Sequence, residues 1–412
     1  MAILPIFLQA FWLCITLFVS LAASHPAAAG TRATARRSFS LDVVRNPAFA
    51  RNGPHAYSKA LNKYGADLPD DFFDATQIKG AVGSVPAWNQ SFDREYLSPV
   101  LIGTPPQVVM LDIDTGSSDL WIFSTDTQIL GFNDRRIYHP HNSSTSIRQA
   151  NTTWYITYGD QSYATGVVYT DDVQLGEITV KNATVESATT AAEAIVDDPT
   201  ISGLLGLSFN HSSTVSPQMP TLLDQLTSEY DVNLFTADLK YHDKGKYTFG
   251  EIEDGAYTGN ISWQAILPGS NFWHIHMTIF QIGGSSQRLI SRWPVIVDTG
   301  TTLALIQEDL AQLYWDQVPG AHYDVSYPGY VYPCNATLPD LIFGFNNDKW
   351  TGVVPGEYIN YQALPTKGEC YGGIQGNRGL PFAILGDMLL KAVFVVFDAE
   401  NERVGFANKD LH

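Results

Sequence analysis

Apolar residues in this chain recur in short alternating runs rather than along long helical faces. Val, Ile, Thr, Tyr and Phe cluster in stretches that Gly, Asn, Asp and Ser interrupt. Such runs are typical of half-buried β-strands, and the interrupting residues are typical of turns. The stretches 219–230 and 306–318 are the best candidates for short amphipathic helices. The pattern therefore predicts an all-β fold.

The first 24 residues depart from this pattern. They form an uncharged apolar run followed by small residues, which is typical of a secretory signal peptide. No Lys or Arg precedes the run, so an uncleaved signal anchor is the alternative. No later segment is apolar enough to cross a bilayer, and the polar chain end carries no lipid-anchor signal. We expect a secreted, extracellular protein, with a vacuolar or membrane-anchored one as the alternative.

Residues 25–85 are basic and polar, whereas the rest of the chain is acidic. Residues 1–92 hold eight Lys and Arg against five Asp and Glu, although the whole chain carries a net charge of −18. So acidic a body repels nucleic acid and anionic membranes, which argues against such partners. Opposite charge favours a removable basic pro-segment over a mobile tail. The acidity fits work at low pH, or it simply keeps a secreted protein soluble.

Cysteines and glycosylation signals agree with export. Cys14 falls in the predicted signal, which leaves Cys334 and Cys370 as one possible disulfide or as two buried free thiols. Seven Asn-x-Ser/Thr sequons fit an exported glycoprotein better than a cytosolic protein. They begin at Asn89, Asn142, Asn151, Asn182, Asn210, Asn260 and Asn335.

Two parts of the chain repeat one order of elements. LDIDTGSS (111–118) and VIVDTGTT (295–302) each place Asp-Thr-Gly after a hydrophobic strand. GLLGLSF (203–209) follows the first copy, and AILGDML (383–389) follows the second. This order indicates an internal duplication. Two lobes related by a pseudo-two-fold axis would each donate one aspartate to a shared cleft.

The two aspartates of the repeat, Asp114 and Asp298, suit acid–base chemistry. Carboxyl groups held face to face do not both ionise easily, so they share one proton. A water between them can then attack an amide without a covalent intermediate. In the flanking residues, the glycines turn tightly, the threonines next to the acids bond across the lobes, and the other hydroxyls hold the outer carboxylate oxygens. These residues are Thr115, Gly116, Ser117, Thr299, Gly300 and Thr301.

The stretches DTGSSDLWIFS and WYITYGDQSYATG resemble pepsin-type aspartic proteases, most of all the secreted fungal group. The likeness runs from about Tyr96 to Ala407. It implies a bilobal pepsin-like fold with a deep cleft, and a catalytic dyad of Asp114 and Asp298. It also implies a disulfide that matches the two cysteines outside the signal.

The resemblance further implies a hairpin flap that closes over the substrate. Tyr158, Gly159 and Asp160 match its tip, and Trp121 matches the tryptophan that steadies the flap tyrosine. Gln161 stands where relatives usually carry glycine, so flap mobility or the first specificity pockets differ from theirs. Asp160 resembles fungal relatives that accept Lys before the cut.

The sequence NKYG (62–65) resembles the Lys-Tyr pair that zymogens of this family place in the cleft. Our hypothesis places Lys63 as an ammonium between the two aspartates, with Tyr64 packed beside it. Acid would then protonate the carboxylates and release the segment. The alternative is an ordinary solvated surface lysine.

Other chemistries lack support in the sequence. His274 and His276 share one strand face, but no third ligand has a spacing that suits a metal. The serine-hydrolase, Walker and zincin motifs do not occur. We therefore expect no metal and no cofactor.

The sequence predicts four regions and one activity. The regions are a signal peptide at 1–24, a pro-segment at 25–85 that acts as an intramolecular inhibitor, an N-terminal lobe at 86–262 and a C-terminal lobe at 263–412. The activity is endoproteolysis at acidic pH of polypeptides bound in extended form, by a monomer that prefers bulky apolar residues around the cut. The alternative is a non-catalytic binding or inhibitor protein on the same scaffold.

Overall fold

Four β-sheets form the body of the protein, and short helices lie between their strands. The computed structural model describes residues 38–45, 51–66, 96–128, 136–157, 163–191, 201–345, 349–365 and 368–411. All of them belong to one unit, Arg36–His412. The predicted signal peptide, the flap tip at 158–161 and the sequon at Asn89 lie outside the described residues.

Strands dominate the described residues, so the all-β prediction is confirmed. In chain order they are β1 Phe39–Asp42, β2 Val44–Arg45, β3 Tyr96–Ile102, β4 Gln107–Asp114, β5 Leu120–Phe123, β6 Ile147–Thr157, β7 Tyr163–Leu175, β8 Ile178–Ala191, β9 Gly203–Gly206, β10 Leu234–Asp238, β11 Lys246–Phe249, β12 Thr258–Ala265, β13 His274–Ile282, β14 Arg288–Val297, β15 Ala304–Ile306, β16 His322–Asp324, β17 Gly329–Pro333, β18 Leu341–Phe345, β19 Trp350–Val354, β20 Asn360–Ala363, β21 Glu369–Gly372, β22 Ile374–Gly376, β23 Ala383–Leu385, β24 Phe394–Asp398 and β25 Arg403–Asn408. The helices are α1 Gly53–Lys63, α2 Leu222–Tyr230, α3 Glu308–Trp315 and α4 Asp387–Leu390, and 3₁₀ turns span Pro140–Asn142, Asn210–Ser212 and Gly356–Ile359.

Each Asp-Thr-Gly copy belongs to its own sheet. The eight-stranded sheet runs β2-β3-β4-β9-β5-β8-β7-β6 and contains β4, whose last residue is Asp114. The seven-stranded sheet runs β19-β18-β13-β14-β23-β15-β22 and contains β14, which ends one residue before Asp298. A six-stranded sheet, β1-β11-β10-β24-β25-β12, and a four-stranded sheet, β16-β17-β21-β20, complete the fold.

The predicted duplication is visible in the strand pairing. In the first copy β4 runs parallel to β9, with Asp114 opposite Gly206. In the second copy β14 runs parallel to β23, with Val297 opposite Leu385. A Cβ on Gly206 would lie 2.5 Å from the backbone nitrogen of Asp119, which follows the first Asp-Thr-Gly turn. A Cβ on Gly386 would lie 2.2 Å from the carbonyl oxygens of Thr301 and Leu303, which follow the second turn. Glycine is required because both segments pass directly over the backbone next to an acid.

Both predicted helices form, as α2 and α3. A reciprocal capping box between Thr221 and Asp224 starts α2. Helix α1 was not predicted, although Asn52 caps it and Pro54 lies in its first turn. Its apolar face is short, and Leu61 on that face is fully buried against the body. The helix depends on this contact because an isolated helix of such length is marginal in water.

The predicted disulfide between Cys334 and Cys370 is confirmed. Cys370 lies in β21, which pairs with β17 just before Cys334. The bond therefore closes the edge of the four-stranded sheet. Across the described part of the chain, every helix is too short or too polar to cross a membrane.

A second pair of carboxyl groups is buried in the first sheet, near Asp114. Glu186 on β8 and Asp119 before β5 are 1% and 2% exposed. Asp119 accepts hydrogen bonds from the backbone N–H and hydroxyl of Thr214, at 2.9 and 2.6 Å. Burial and the neighbouring Asp119 raise the pKa of Glu186 well above its ordinary value, and burial also raises the pKa of Asp119. The pair therefore keeps a proton that exposed carboxyls would lose.

We predict that Glu186→Gln stabilises the protein at neutral pH. The folded protein retains the Glu186 proton above the ordinary pKa of about 4.3, so the free energy of unfolding falls as pH rises from there. Glutamine removes this dependence. The thermal midpoint, followed between about pH 5 and pH 8, should fall less steeply in the variant. The control is Glu229→Gln, which changes an exposed residue of α2. Equal slopes in the wild type and both variants would contradict the prediction.

Candidate active site

The two Asp-Thr-Gly turns hold their carboxylates in the same way. Asp114 and Asp298 are 2% and 0% exposed. The backbone N–H of Gly116 donates to Asp114 Oδ1 at 2.7 Å, and that of Gly300 donates to Asp298 Oδ1 at 2.9 Å. Each turn therefore solvates its own acid from the backbone, which offsets part of the cost of burial.

Hydroxyl groups hold the outer carboxylate oxygens, as the sequence predicts. Ser117 Oγ donates to Asp114 Oδ2 at 2.6 Å. Thr301 Oγ1 donates to Asp298 Oδ2 at 2.5 Å. These bonds fix the carboxylate planes, because each carboxylate is held at both of its oxygens.

A reciprocal pair of threonines joins the two turns. The backbone N–H of Thr115 donates to Thr299 Oγ1 at 3.2 Å, and the N–H of Thr299 donates to Thr115 Oγ1 at 3.0 Å. The two hydroxyls then donate to the carbonyls of Val297 and Ile113, at 2.9 and 2.7 Å. All four groups are buried, so the bonds lock one lobe's acid against the other's.

The two carboxylates lie against each other's turn. A Cβ added to Gly300 would lie 2.3 Å from Asp114 Oδ1, and one added to Gly116 would lie 2.5 Å from Asp298 Oδ1. Glycine in both turns is thus the condition for bringing the acids into contact.

The structure places Lys63 between the two acids, where the sequence hypothesis put it. Its Nζ lies 2.7 Å from Asp114 Oδ1 and 3.1 Å from both carboxylate oxygens of Asp298. The Tyr64 hydroxyl donates to Asp298 Oδ2 at 2.9 Å. The alternative of a solvated surface lysine does not describe this side chain, which is 10% exposed.

The Tyr64 ring occupies an aromatic pocket beside the dyad. It packs edge-on against Phe272 and Phe382, with ring centroids 5.3 and 5.4 Å apart. These two phenylalanines were not predicted as site residues. Nothing in the local sequence distinguishes them from core residues, because they reach the dyad only through the fold.

Burial and the lysine charge set the proton affinities of the two acids in opposite directions. Burial raises the pKa of both, but the Lys63 ammonium and hydrogen bonds hold the pKa of Asp114 below its usual range. For Asp298, burial and the charge of Asp114 outweigh the same cation, so its pKa is raised. Burial acts to lower the pKa of Lys63, yet the two carboxylates raise it. Asp298 therefore takes up a proton before Asp114 does.

The remaining predicted residues have varied surroundings. Trp121 is buried and stacks on Trp154 with ring centroids 6.0 Å apart, whereas Tyr158, Gly159 and Asp160 lie outside the described residues. His274 packs edge-on against Phe382. Within the described ranges, no group of three or more His, Cys, Asp and Glu has a geometry that could hold a metal ion.

The sequons differ in how accessible their asparagines are. Five are exposed, namely Asn142, Asn151, Asn182, Asn260 and Asn335. Asn210 is half-buried, and its amide donates to the Asp224 carboxylate and to the Met219 carbonyl. An oligosaccharide on Asn210 would have to displace both bonds.

Comparison with known proteins agrees with this geometry. The family model for eukaryotic aspartyl proteases matches residues 95–409. The chain is 41% identical to endothiapepsin from Cryphonectria parasitica over 90% of each sequence, and 39% identical to podosporapepsin from Podospora anserina over 90% of this chain and 91% of that one. It is 38% identical to penicillopepsin-1 from Talaromyces stipitatus, over 95% of this chain and 98% of that one.

A solved structure supports the fold independently. The crystal structure of an aspartic proteinase from Irpex lacteus superposes with a TM-score of 0.62 at 24% identity, covering 77% of this chain and 95% of that one. The resemblance drawn from the sequence motifs is therefore confirmed, and so is the bilobal pepsin-like fold. The chain belongs to the eukaryotic aspartyl protease family, and it is an aspartic-type endopeptidase.

Proposed function

We propose that the protein is a secreted endopeptidase that cleaves polypeptides in acid and is made as a latent precursor. The observation that carries this proposal is the contact of Asp114 and Asp298 around one Lys63 ammonium. Family membership supplies the reaction type and a peptide substrate. Acidic working pH, latency and export are inferred from the site and the sequence.

In the mature enzyme the dyad would hold one proton and one water. The ionised carboxylate takes a proton from the water, whose oxygen attacks the scissile carbonyl carbon while the protonated carboxyl gives its proton to the carbonyl oxygen. The resulting diol collapses, the C–N bond breaks, and the amine leaves with a proton. In the precursor the pKa of Asp298 is raised, so Asp298 is the acid that retains a proton there.

The pro-segment would keep the precursor latent by filling this site. Lys63 supplies the positive charge that both carboxylates attract, and Tyr64 fills the pocket of Phe272 and Phe382. Strand β1 adds to the edge of the six-stranded sheet next to β11, so the segment is held at both ends. A peptide substrate would have to displace all of these contacts.

Acid would release the segment, and the sign of the pKa shifts supports this. The pKa of Asp114 is lowered in the folded precursor, so its ion pair contributes stability above the ordinary pKa of about 4. That stability is lost as pH falls through the lowered pKa. The pKa of Lys63 is raised, so the lysine keeps its charge through neutral pH and does not limit the pair there.

Export of the protein rests on the apolar start of the chain, the disulfide and the exposed sequons. A vacuolar or membrane-anchored protease is the alternative location. Sequencing the amino terminus of the mature protein tests for the membrane-anchored form, because it shows whether the signal and residues 25–85 have been removed.

The non-catalytic binder on the same scaffold remains the alternative function. We predict that Asp114→Asn lowers kcat/KM for acid-denatured haemoglobin by about a thousandfold, since the amide cannot take the proton of the water. Asp243→Asn, an exposed aspartate in a loop, is the control and should keep full activity. Correctly processed wild-type protein that binds haemoglobin but leaves it intact would support the binder instead.

We predict that Lys63→Met opens the cleft of the precursor at a higher pH. Without the ammonium, the buried carboxylates repel each other above about pH 4, and the segment loses its strongest attachment there. The measurement is binding of a fluorescent statine-type inhibitor to the precursor as the pH is lowered.

The pH at half-saturation of that inhibitor should rise by about one unit or more in Lys63→Met. The control is Lys59→Met, which removes a half-buried lysine from the same helix α1. A Lys63→Met precursor whose half-saturation pH equals that of the wild type would rule out the ion pair as the latch.

A further inference from the structure

Tyr57 is a pro-segment side chain that packs into the body. It projects from α1 and is fully buried. Its hydroxyl donates to the Gly376 carbonyl oxygen at 2.5 Å, and the Arg378 guanidinium lies near its phenol oxygen. The body thus covers the ring of this tyrosine and accepts a hydrogen bond from its hydroxyl group.

The walls of this pocket belong to the body, not to the pro-segment. We call Glu308, Tyr323, Tyr371, Gly376 and Arg378 the Tyr57 pocket. The Arg378 backbone N–H donates to Glu308 Oε1 at 2.8 Å. Its guanidinium donates to the Tyr323 hydroxyl and lies over the Tyr323 ring at 4.7 Å. The Tyr371 hydroxyl donates to a backbone carbonyl at 2.6 Å. These contacts are made among residues of the body itself.

The absence of a side chain at Gly376 leaves room for Glu308 in the pocket. A Cβ there would lie 2.2 Å from the Glu308 carboxylate. The glycine therefore lets Glu308 approach the strand and hold the backbone of Arg378. The carbonyl of the same glycine points to the Tyr57 hydroxyl.

The pocket is fixed relative to the dyad. Gly376 ends β22, which pairs with β15, and β15 pairs in turn with β23 beside the strand that leads to Asp298. Tyr57 precedes Lys63 by six residues on one helix, which corresponds to about 9 Å along the axis. An extended peptide covers that distance in about three residues.

We propose that in the mature enzyme the Tyr57 pocket is a substrate subsite that selects tyrosine two to four residues from the scissile bond. The Gly376 carbonyl and Arg378 distinguish tyrosine from phenylalanine, because phenylalanine would leave the carbonyl without the hydroxyl that Tyr57 donates and would remove the phenol oxygen beside the guanidinium. Glu308 offsets the charge of Arg378, so a substrate carboxylate gains less than a phenol does. This inference rests on the proposed proteolytic function and adds a substrate preference to it.

The experiment uses the mature enzyme and quenched peptides that share one scissile bond. Each peptide carries Tyr, Phe, Leu or Glu at one position, two to four residues from the cut on either side. At one position, tyrosine should raise kcat/KM about fivefold to tenfold over phenylalanine. In Arg378→Met this ratio should fall to about twofold.

The matched control is Arg292→Met, which removes an exposed arginine of β14 and should leave the ratio intact. Cleaved peptides with a ratio near one at all positions would overturn the inference and leave the proposed function standing. A preference for Glu that Arg378→Met abolishes would replace tyrosine by a carboxylate. Failure to cleave any peptide or haemoglobin would instead count against the proposed function.

A second arm needs no catalysis. Tyr57→Phe in the precursor should lower the thermal midpoint at neutral pH, because the pocket loses the hydroxyl. The shift should shrink by at least half in an Arg378→Met background, which double-mutant logic attributes to the Tyr57–Arg378 contact. Equal shifts in both backgrounds would show that Arg378 does not read the hydroxyl, and would refute its assigned role even in an inactive enzyme.

Discussion

The contact between two buried carboxyl groups is the constraint on which the rest of this structure depends. Neither acid would stay ionised in a dry interior without partners, so each is surrounded by donors from its own turn. The threonine pair then holds the two turns together across the lobes. Because the acids approach so closely, both turns require glycine where the facing carboxylate lies. The duplicated motif thus offsets, in each lobe, the cost of burying two carboxylates in contact.

The same constraint explains how helix α1 is attached to the body. A pair of acids that share a pocket is a ready site for one cation, and Lys63 supplies it at the end of α1. The lysine alone does not place the helix, because Tyr57 at one end and Tyr64 at the other are both held in pockets of the body. The ion pair attaches the helix to the two acids, while the aromatic contacts fix its position.

Two buried sites in this protein bind protons more tightly than exposed carboxyl groups do. The dyad and the buried pair of Glu186 and Asp119 both retain protons that exposed carboxyls would lose. The acidic surface adds to this, since lowering the pH reduces its self-repulsion. Burial thus raises the proton affinity of Asp298 and of Glu186 alike.

The sequence by itself determined the strands, the repeated motif, the supporting hydroxyls and the cysteine pair. Each of these features follows from a short sequence pattern. Alternating apolar residues predict the strands, Asp-Thr-Gly with its flanking residues predicts the paired aspartates, and the two cysteines outside the signal predict the disulfide. Even Lys63 was found from the local NKYG pattern. Only the tertiary structure decided that α1 forms, that Glu186 faces Asp119, and that Tyr57 meets Gly376 and Arg378. Those contacts join residues that are far apart in the chain, and only the packing of strands and lobes decides which distant side chains share a pocket.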